Sequence, residues 1–223
     1  GVATGIMNSL TGFVANTAVV VVYVIFFILE YATYKVKLEK LFPKKGKQYQ
    51  IVKNSLQQIN ESISSFIWQK TLISIITGAV SYVILVIMGV DYAFLWSFLI
   101  FMLNYIPYIG PLFSSLFPAV FAVLITGDLM QIVYVFAAMQ AVQIILGNFV
   151  EPKMMGKGTN LGPVTVIIAL AFWGMIWGLV GMMLAVPITA VFVIMLSQIP
   201  STRFMAIILS EKGDIPEMES QVK

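Results

Sequence analysis

Asn104-Tyr105-Ile106-Pro107-Tyr108-Ile109-Gly110-Pro111 stands inside an apolar run, Tyr92 to Thr126, that otherwise has the composition of membrane-crossing helix. In hydrocarbon a helix persists because each backbone amide is satisfied within its own segment. Two prolines and a glycine within five residues remove donors and break that ladder. A broken helix at membrane depth has to be buried in protein or line a watery cavity. Solute-handling membrane proteins place their binding sites in such cavities.

Composition supports the same setting. Of 223 residues, 60% are hydrophobic and 10% charged, with a net charge of +3; the mean hydropathy is +0.95. These values define a polytopic membrane protein. With no cysteine and no histidine, thiol nucleophiles, imidazole bases and disulfides are excluded, and a zinc site lacks its usual ligands. No enzyme activity, cofactor or metal is expected, and no nucleic-acid partner. Gly1 opens directly into apolar sequence without a charged leader region, so an N-terminal part of the natural protein is expected to be absent.

Working outward, five hydrophobic blocks emerge. Block A, Gly1 to Leu29, ends at Glu30-Tyr31 and carries Gly1, Gly5 and Ser9 as a small-residue packing face. Lys35, Lys37, Lys40, Lys44, Lys45 and Lys47 follow, a loop expected on the cytoplasmic side. From Gln48 to Trp68, Val52, Leu56, Ile59, Ile63 and Phe66 share one helix face, while Lys53, Asn54, Gln57, Gln58, Asn60 and Glu61 fill the other, so an amphipathic helix is expected. Block B, Thr71 to Val90, has single-span length and a stripe of Ser74, Thr77, Gly78 and Ser81 suited to close helix contact. Block C is the broken run. Block D, Gln131 to Val150, is followed by a polar loop, Glu151 to Gly162. Block E, Pro163 to Gln198, is interrupted by Trp173-Gly174, Trp177-Gly178 and Gly181 and carries Pro187. A polar tail starts at Pro200.

Charge parity assigns sides. With the lysine loop inside, B exits at Asp91; Lys153 and Lys157 place the loop after D inside as well, so D begins outside at Asp128. Block C then starts and ends outside, as a hairpin whose tip is the octet. Each arm of about 14 to 16 residues gives roughly 21 to 24 Å of helix, short of the hydrocarbon core of about 30 Å. Block E becomes a second hairpin of opposite orientation, turning near Trp177 to Gly181. The expected fold is therefore all-α and polytopic, with two opposed re-entrant helical hairpins in an inverted repeat and a cytoplasmic amphipathic helix. Its segments are 1–34 (helix A), 35–69 (lysine-rich loop and amphipathic helix), 70–127 (B with hairpin C), 128–198 (D with hairpin E) and 199–223 (cytoplasmic tail). Long, kinked or paired full-length helices without symmetry are the alternative.

Two sets of side chains are candidates for solute contact. At the hairpin tip, Asn104, Tyr105 and Tyr108 offer polar groups, Pro107, Gly110 and Pro111 shape the turn, and the first turn of the second arm, with Ser114 and Ser115, is expected to present free donors and a positive dipole. On D, Gln140, Gln143, Gly147 and Glu151 step by three, four and four along one face, with Asn148 beside them. Gly147 is expected to admit another backbone. Glu151 is the candidate for proton or ion coupling, with a pair to Lys153 as the competing reading. Trp173 and Trp177 either bind solute or pack, and Gly174, Gly178, Gly181 and Pro187 are hinge or hairpin positions.

These residues resemble a known family. The octet, then Val150-Glu151-Pro152-Lys153-Met154-Met155-Gly156, then Phe172-Trp173-Gly174-Met175-Ile176-Trp177-Gly178-Leu179-Val180-Gly181 leading to Leu184-Ala185-Val186-Pro187, are similar to consecutive signatures of the autoinducer-2 exporter-like (AI-2E) family of bacterial permeases. The resemblance implies a multi-pass transporter of the bacterial inner membrane, a homo-oligomer, exporting a small polar solute such as autoinducer-2 by alternating access. It leaves sodium/proton antiport as an alternative, and covers a C-terminal part of the family's length. A non-transporting scaffold, recruiting partners or membrane lipid through the lysine loop and amphipathic helix, is the reading from a different class.

Overall fold

The computed structural model describes residues 25–26, 47–155 and 160–213. Block A apart from Ile25 and Phe26, the lysine loop before Lys47, Lys157 and the end of the tail lie outside the described residues. The chain divides into two compact units, 1–54 and 55–223. Within the first, Ile25 and Phe26 are helical and exposed, and helix α1 (Lys47–Ile87) begins there. The helix packing and the cleft described below lie in the second unit.

The described structure is helical, with four helices long and apolar enough to cross a membrane. Helix α1 is continuous, so the amphipathic segment and span B form one helix; no glycine or proline lies between them to break the ladder. The small-residue stripe is buried as expected: Ser74, Thr77 and Ser81 are fully covered. A Cβ at Gly78 would lie 3.2 Å from Phe101 Cβ and Ser97 O. Glycine thus sets how closely α1 meets the next helix.

That helix, α2 (Ala93–Leu103), and its successor α3 (Ile109–Thr126) run antiparallel. Tyr92 and Trp96, at the start of α2, place their rings 5.9 and 5.0 Å from Phe121 near the end of α3. The octet forms the turn between them. Asn104 and Tyr105 end the first arm through bonds to Ile100 O and Met102 O. A Cβ on Gly110 would overlap the Leu103 carbonyl. Only glycine lets the second arm start against the end of the first. Gly127 then reverses the chain at φ 71°, and Asp128 caps α4 (Leu129–Ile145) by accepting from Met130 N at 2.9 Å.

Two departures from expectation follow. The polar loop expected over Glu151 to Gly162 begins instead as helix: α4 passes through a π turn, Leu146–Val150, into a short α5, Glu151–Met155. In that turn Glu151 N reaches back five residues to Leu146 O. The widened turn gives the Pro152 ring room that a regular α turn denies, so proline continues the helix rather than ending it. The tail also is not uniformly polar, since Arg203-Phe204-Met205-Ala206-Ile207-Ile208-Leu209 forms helix α7 (Arg203–Leu209) with Ala206 fully buried.

Helix α6 (Pro163–Ser197) folds on itself. Gly178, at φ 59° and ψ −138°, is its non-helical point. In a straight helix Trp173 and Phe192 would be about 28 Å apart. Their ring centroids are 5.9 Å apart, and Trp173 Nε1 donates to Thr189 Oγ1 at 3.1 Å. A Cβ on Gly181 would overlap the Trp173 carbonyl, and one on Gly174 would crowd Met182. Pro187, expected as a hinge, is buried inside the second arm, where the helix is uninterrupted.

Two apolar cores result. One joins both arms of α6 to Phe66, Ile106, Leu161 and Ala206. The other, around Leu85, Ile100, Ala119, Ala122, Val135 and Met139, holds α1 through α4 together. Phe94, Leu124 and Met175 are among the large apolar side chains left exposed, which suits a surface solvated by lipid.

Candidate functional site

A cleft of about 620 Å³ lies where the octet, α4 with its π turn, both arms of α6 and the inward face of α1 converge. It receives Asn104, Pro107, Tyr108 and Pro111 from the octet and Gln140, Gln143, Gly147, Asn148 and Glu151 from α4 and its continuation. The two candidate sets, separate in sequence, thus share one cavity. Val166 and Val186 supply an apolar wall, one from each arm of α6.

The octet is held by hydrogen bonds to α1. Asn104 Nδ2 donates to Ser74 Oγ at 3.0 Å, and Tyr105 Oη is 2.7 Å from Thr71 Oγ1, whose hydroxyl bonds Ile67 O. These contacts set the tip beside the start of the apolar part of α1 rather than at its middle. Tyr105 is therefore a brace and does not line the cleft; Asn104 is nearly buried yet contributes to its wall.

The expected free donors at the second arm are not available. Ile109 N bonds Pro107 O at 2.7 Å, Gly110 N bonds Ile106 O at 3.0 Å, and Pro111 has no N–H. Ser114 and Ser115 direct their hydroxyls to Pro111 O, and Ser114 Oγ accepts from Gln143 Nε2 at 2.7 Å. Neither serine lines the cleft. They join α3 to α4 instead, and Gln143, almost fully buried, spends one donor on that contact. Gly147 admits no neighbouring backbone, since a Cβ there would meet open space; it borders the cleft.

Glu151 has a different partner from the one favoured by sequence. It pairs with Lys70 of α1, 81 positions away, not with exposed Lys153. Lys70 lies between the amphipathic segment and block B. Helical spacing holds the signal that finds it: Phe66, Lys70, Ile73 and Thr77 step by four, three and four, and all four are buried. Among the described residues it is the only buried charged side chain. Glu211, part of the polar tail expected from Pro200, also lines the cleft. Backbone bonds Glu211 N to Asn160 O at 3.1 Å and Gly162 N to Leu209 O at 3.0 Å hold that stretch beside the start of α6.

Trp173 and Trp177 are not brought to the cleft. They stack at 5.3 Å near the turn of α6, with Trp173 bonded to Thr189. Gly174, Gly178 and Gly181 shape the same turn. Chemically, the cleft offers amides, a phenol, one ammonium and two carboxylates between apolar walls. Those groups suit reversible binding of a small polar molecule and include no activated nucleophile.

The model of the AI-2E family transporter matches residues 2–201. The chain is 32% identical over 210 residues to the AI-2 transport protein TqsA of Escherichia coli (strain K12), covering 93% of this chain and 59% of that protein. It is 33% identical over 190 residues to the putative transport protein YhhT of the same strain, covering 84% and 52%. A putative transport protein of Borreliella burgdorferi is also 33% identical over 190 residues, covering 82% and 51%. The chain thus spans between half and three-fifths of the length of these relatives. It is a multi-pass helical protein of the bacterial inner membrane, and it belongs to the AI-2E transporter family.

Proposed function

We infer that this protein exports a small polar solute, such as AI-2, by alternating access, and that the cleft beside the octet is its solute site. The observation that carries this reading is the convergence of Asn104, Tyr108, Gln140, Asn148 and the Lys70–Glu151 pair in one cavity among apolar helices. Two glutamines and two asparagines would be costly against lipid, so a membrane protein retains them for interhelical contact or for solute. Gln143 and Asn104 serve contact in part. Gln140 and exposed Asn148 are left facing the cavity.

The opposed re-entrant hairpins belong to the same proposal. The 11 residues of α2 correspond to about 17 Å, well short of a core of about 30 Å, and the 18 of α3 to about 27 Å, at the lower end of spanning length. Both turns use one device, a glycine of the second arm against a carbonyl of the first: Gly110 on Leu103 and Gly181 on Trp173. Each follows a long apolar helix, α1 or α4, as an inverted repeat requires. The segment of α1 before Lys70 would then lie at the cytoplasmic surface, and assembly as a homo-oligomer would cover exposed apolar faces.

Proton- or sodium-coupled exchange is the second reading, favoured by the Lys70–Glu151 pair, because a buried ammonium paired with a carboxylate on a cavity wall is the kind of charge pair on which ion coupling is built. Intact protein reconstituted in liposomes loaded with AI-2 tests both. Export predicts AI-2 release well above that of protein-free vesicles. Release equal to protein-free vesicles contradicts it, and proton or sodium movement alone selects the exchanger.

A further inference from the structure

Lys70 is 4% exposed, and its helix neighbours Phe66, Ile73 and Thr77 are buried with it. Its ammonium therefore meets the cleft and not the surface of α1. The carboxylate of Glu151 is the more accessible partner, with a side-chain exposure of 19% against 6% for Lys70. It arrives from the end of the π turn, on a separate helix. A buried ammonium stripped of its counter-charge is strongly destabilising, so Glu151 can swing away only if another anion takes its place. The N-terminus of α3 cannot serve such an anion, since its first amides are bonded or absent. Glu211, the other carboxylate of the cleft, is exposed, and its backbone N–H is bonded to Asn160 O. Besides Lys70 the cleft presents Gln140, Asn148 and Tyr108, neutral groups that bond hydroxyls.

We propose that Lys70 is the anion receptor of the cleft and that Glu151 occupies it as an internal substitute, so that the solute class is a small hydroxylated molecule bearing one negatively charged oxygen group. Binding exchanges one carboxylate for another oxyanion at the same ammonium, and Glu151 turns to water. No covalent step is involved. The proposal rests on the cleft being the solute site, but its test reads binding and not flux.

Intact purified protein is titrated calorimetrically with gluconate and with sorbitol, two six-carbon polyhydroxy probes that differ by a carboxylate. Glu151→Gln removes the internal competitor, so gluconate should bind it about tenfold tighter than it binds the unmodified protein, with sorbitol unchanged. The double variant Lys70→Met with Glu151→Met replaces the pair by apolar side chains, a change buried pairs tolerate, and should lose the preference for gluconate. If Glu151→Gln does not fold, a gluconate preference in the unmodified protein that disappears in the double variant carries the same conclusion. Equal gluconate affinity with and without Lys70, or no preference for gluconate over sorbitol, overturns the proposal. A Lys70-dependent preference in a protein that moves no solute would contradict the transport reading and leave this one standing.

Discussion

Asn104 joins the octet to α1. Its Nδ2 donates to Ser74 Oγ, a buried hydroxyl of α1, while the residue also contributes to the cleft wall. Asn104→Ala should lose about 1 to 2 kcal/mol of stability from that one contact, readable as a modest fall in unfolding temperature in detergent. AI-2 flux in liposomes should fall several-fold with assembly near normal; full flux would confine Asn104 to bracing. Its polarity inside an apolar run was plain from sequence, and so was its place at a turn. The bond to Ser74 was not, because a period of three or four residues says which face a side chain occupies and not which partner lies opposite. The Lys70–Glu151 pair was hidden for the same reason. Nearby charge made Lys153 the obvious partner, whereas burial of the α1 face selects Lys70.

At the scale of elements, the two helical turns are governed by close approach of backbone. Gly110→Ala and Gly181→Ala each force a Cβ into a carbonyl oxygen and should cost about 1 to 3 kcal/mol by overpacking. Gly147→Ala meets open space inside a helix and should be neutral or stabilising by up to about 1 kcal/mol. Thermal unfolding of the three variants checks the contrast; equal effects would mean the turns are looser than described. Gly110 and the Trp177 to Gly181 stretch were legible because glycine and proline are the residues that interrupt helices. The π turn was not legible, since Leu146-Gly147-Asn148-Phe149-Val150 contains nothing that distinguishes it from the regular end of a helix. Pro152 then pointed to termination, when the widened turn before it lets the helix continue to Met155. The free donors expected at the start of α3 failed on local chemistry, because the carbonyls of Ile106 and Pro107 lie within reach of the amides that were assumed open.

At the scale of the molecule, composition alone established a helical membrane protein, while sidedness rests on few loop charges. Single cysteines in this cysteine-free chain test it directly. Replacing exposed Asp91 or Asp128 should give labelling by an impermeant maleimide from one side of oriented vesicles, and replacing exposed Lys153 or Lys212 from the opposite side. Labelling of Asp128→Cys and Lys153→Cys from the same side would remove the opposed hairpins. The central claim is narrower, that solute passes through the cleft between the octet and α4 and not past the tryptophan turn of α6. The most direct measurement attaches a bulky maleimide to Asn148→Cys, on the cleft, and to Trp177→Cys, away from it, and follows AI-2 release from liposomes before and after modification. Modification at position 148 should bring release close to the protein-free rate, while modification at position 177 leaves it unchanged. Undiminished release with position 148 fully modified would contradict the account.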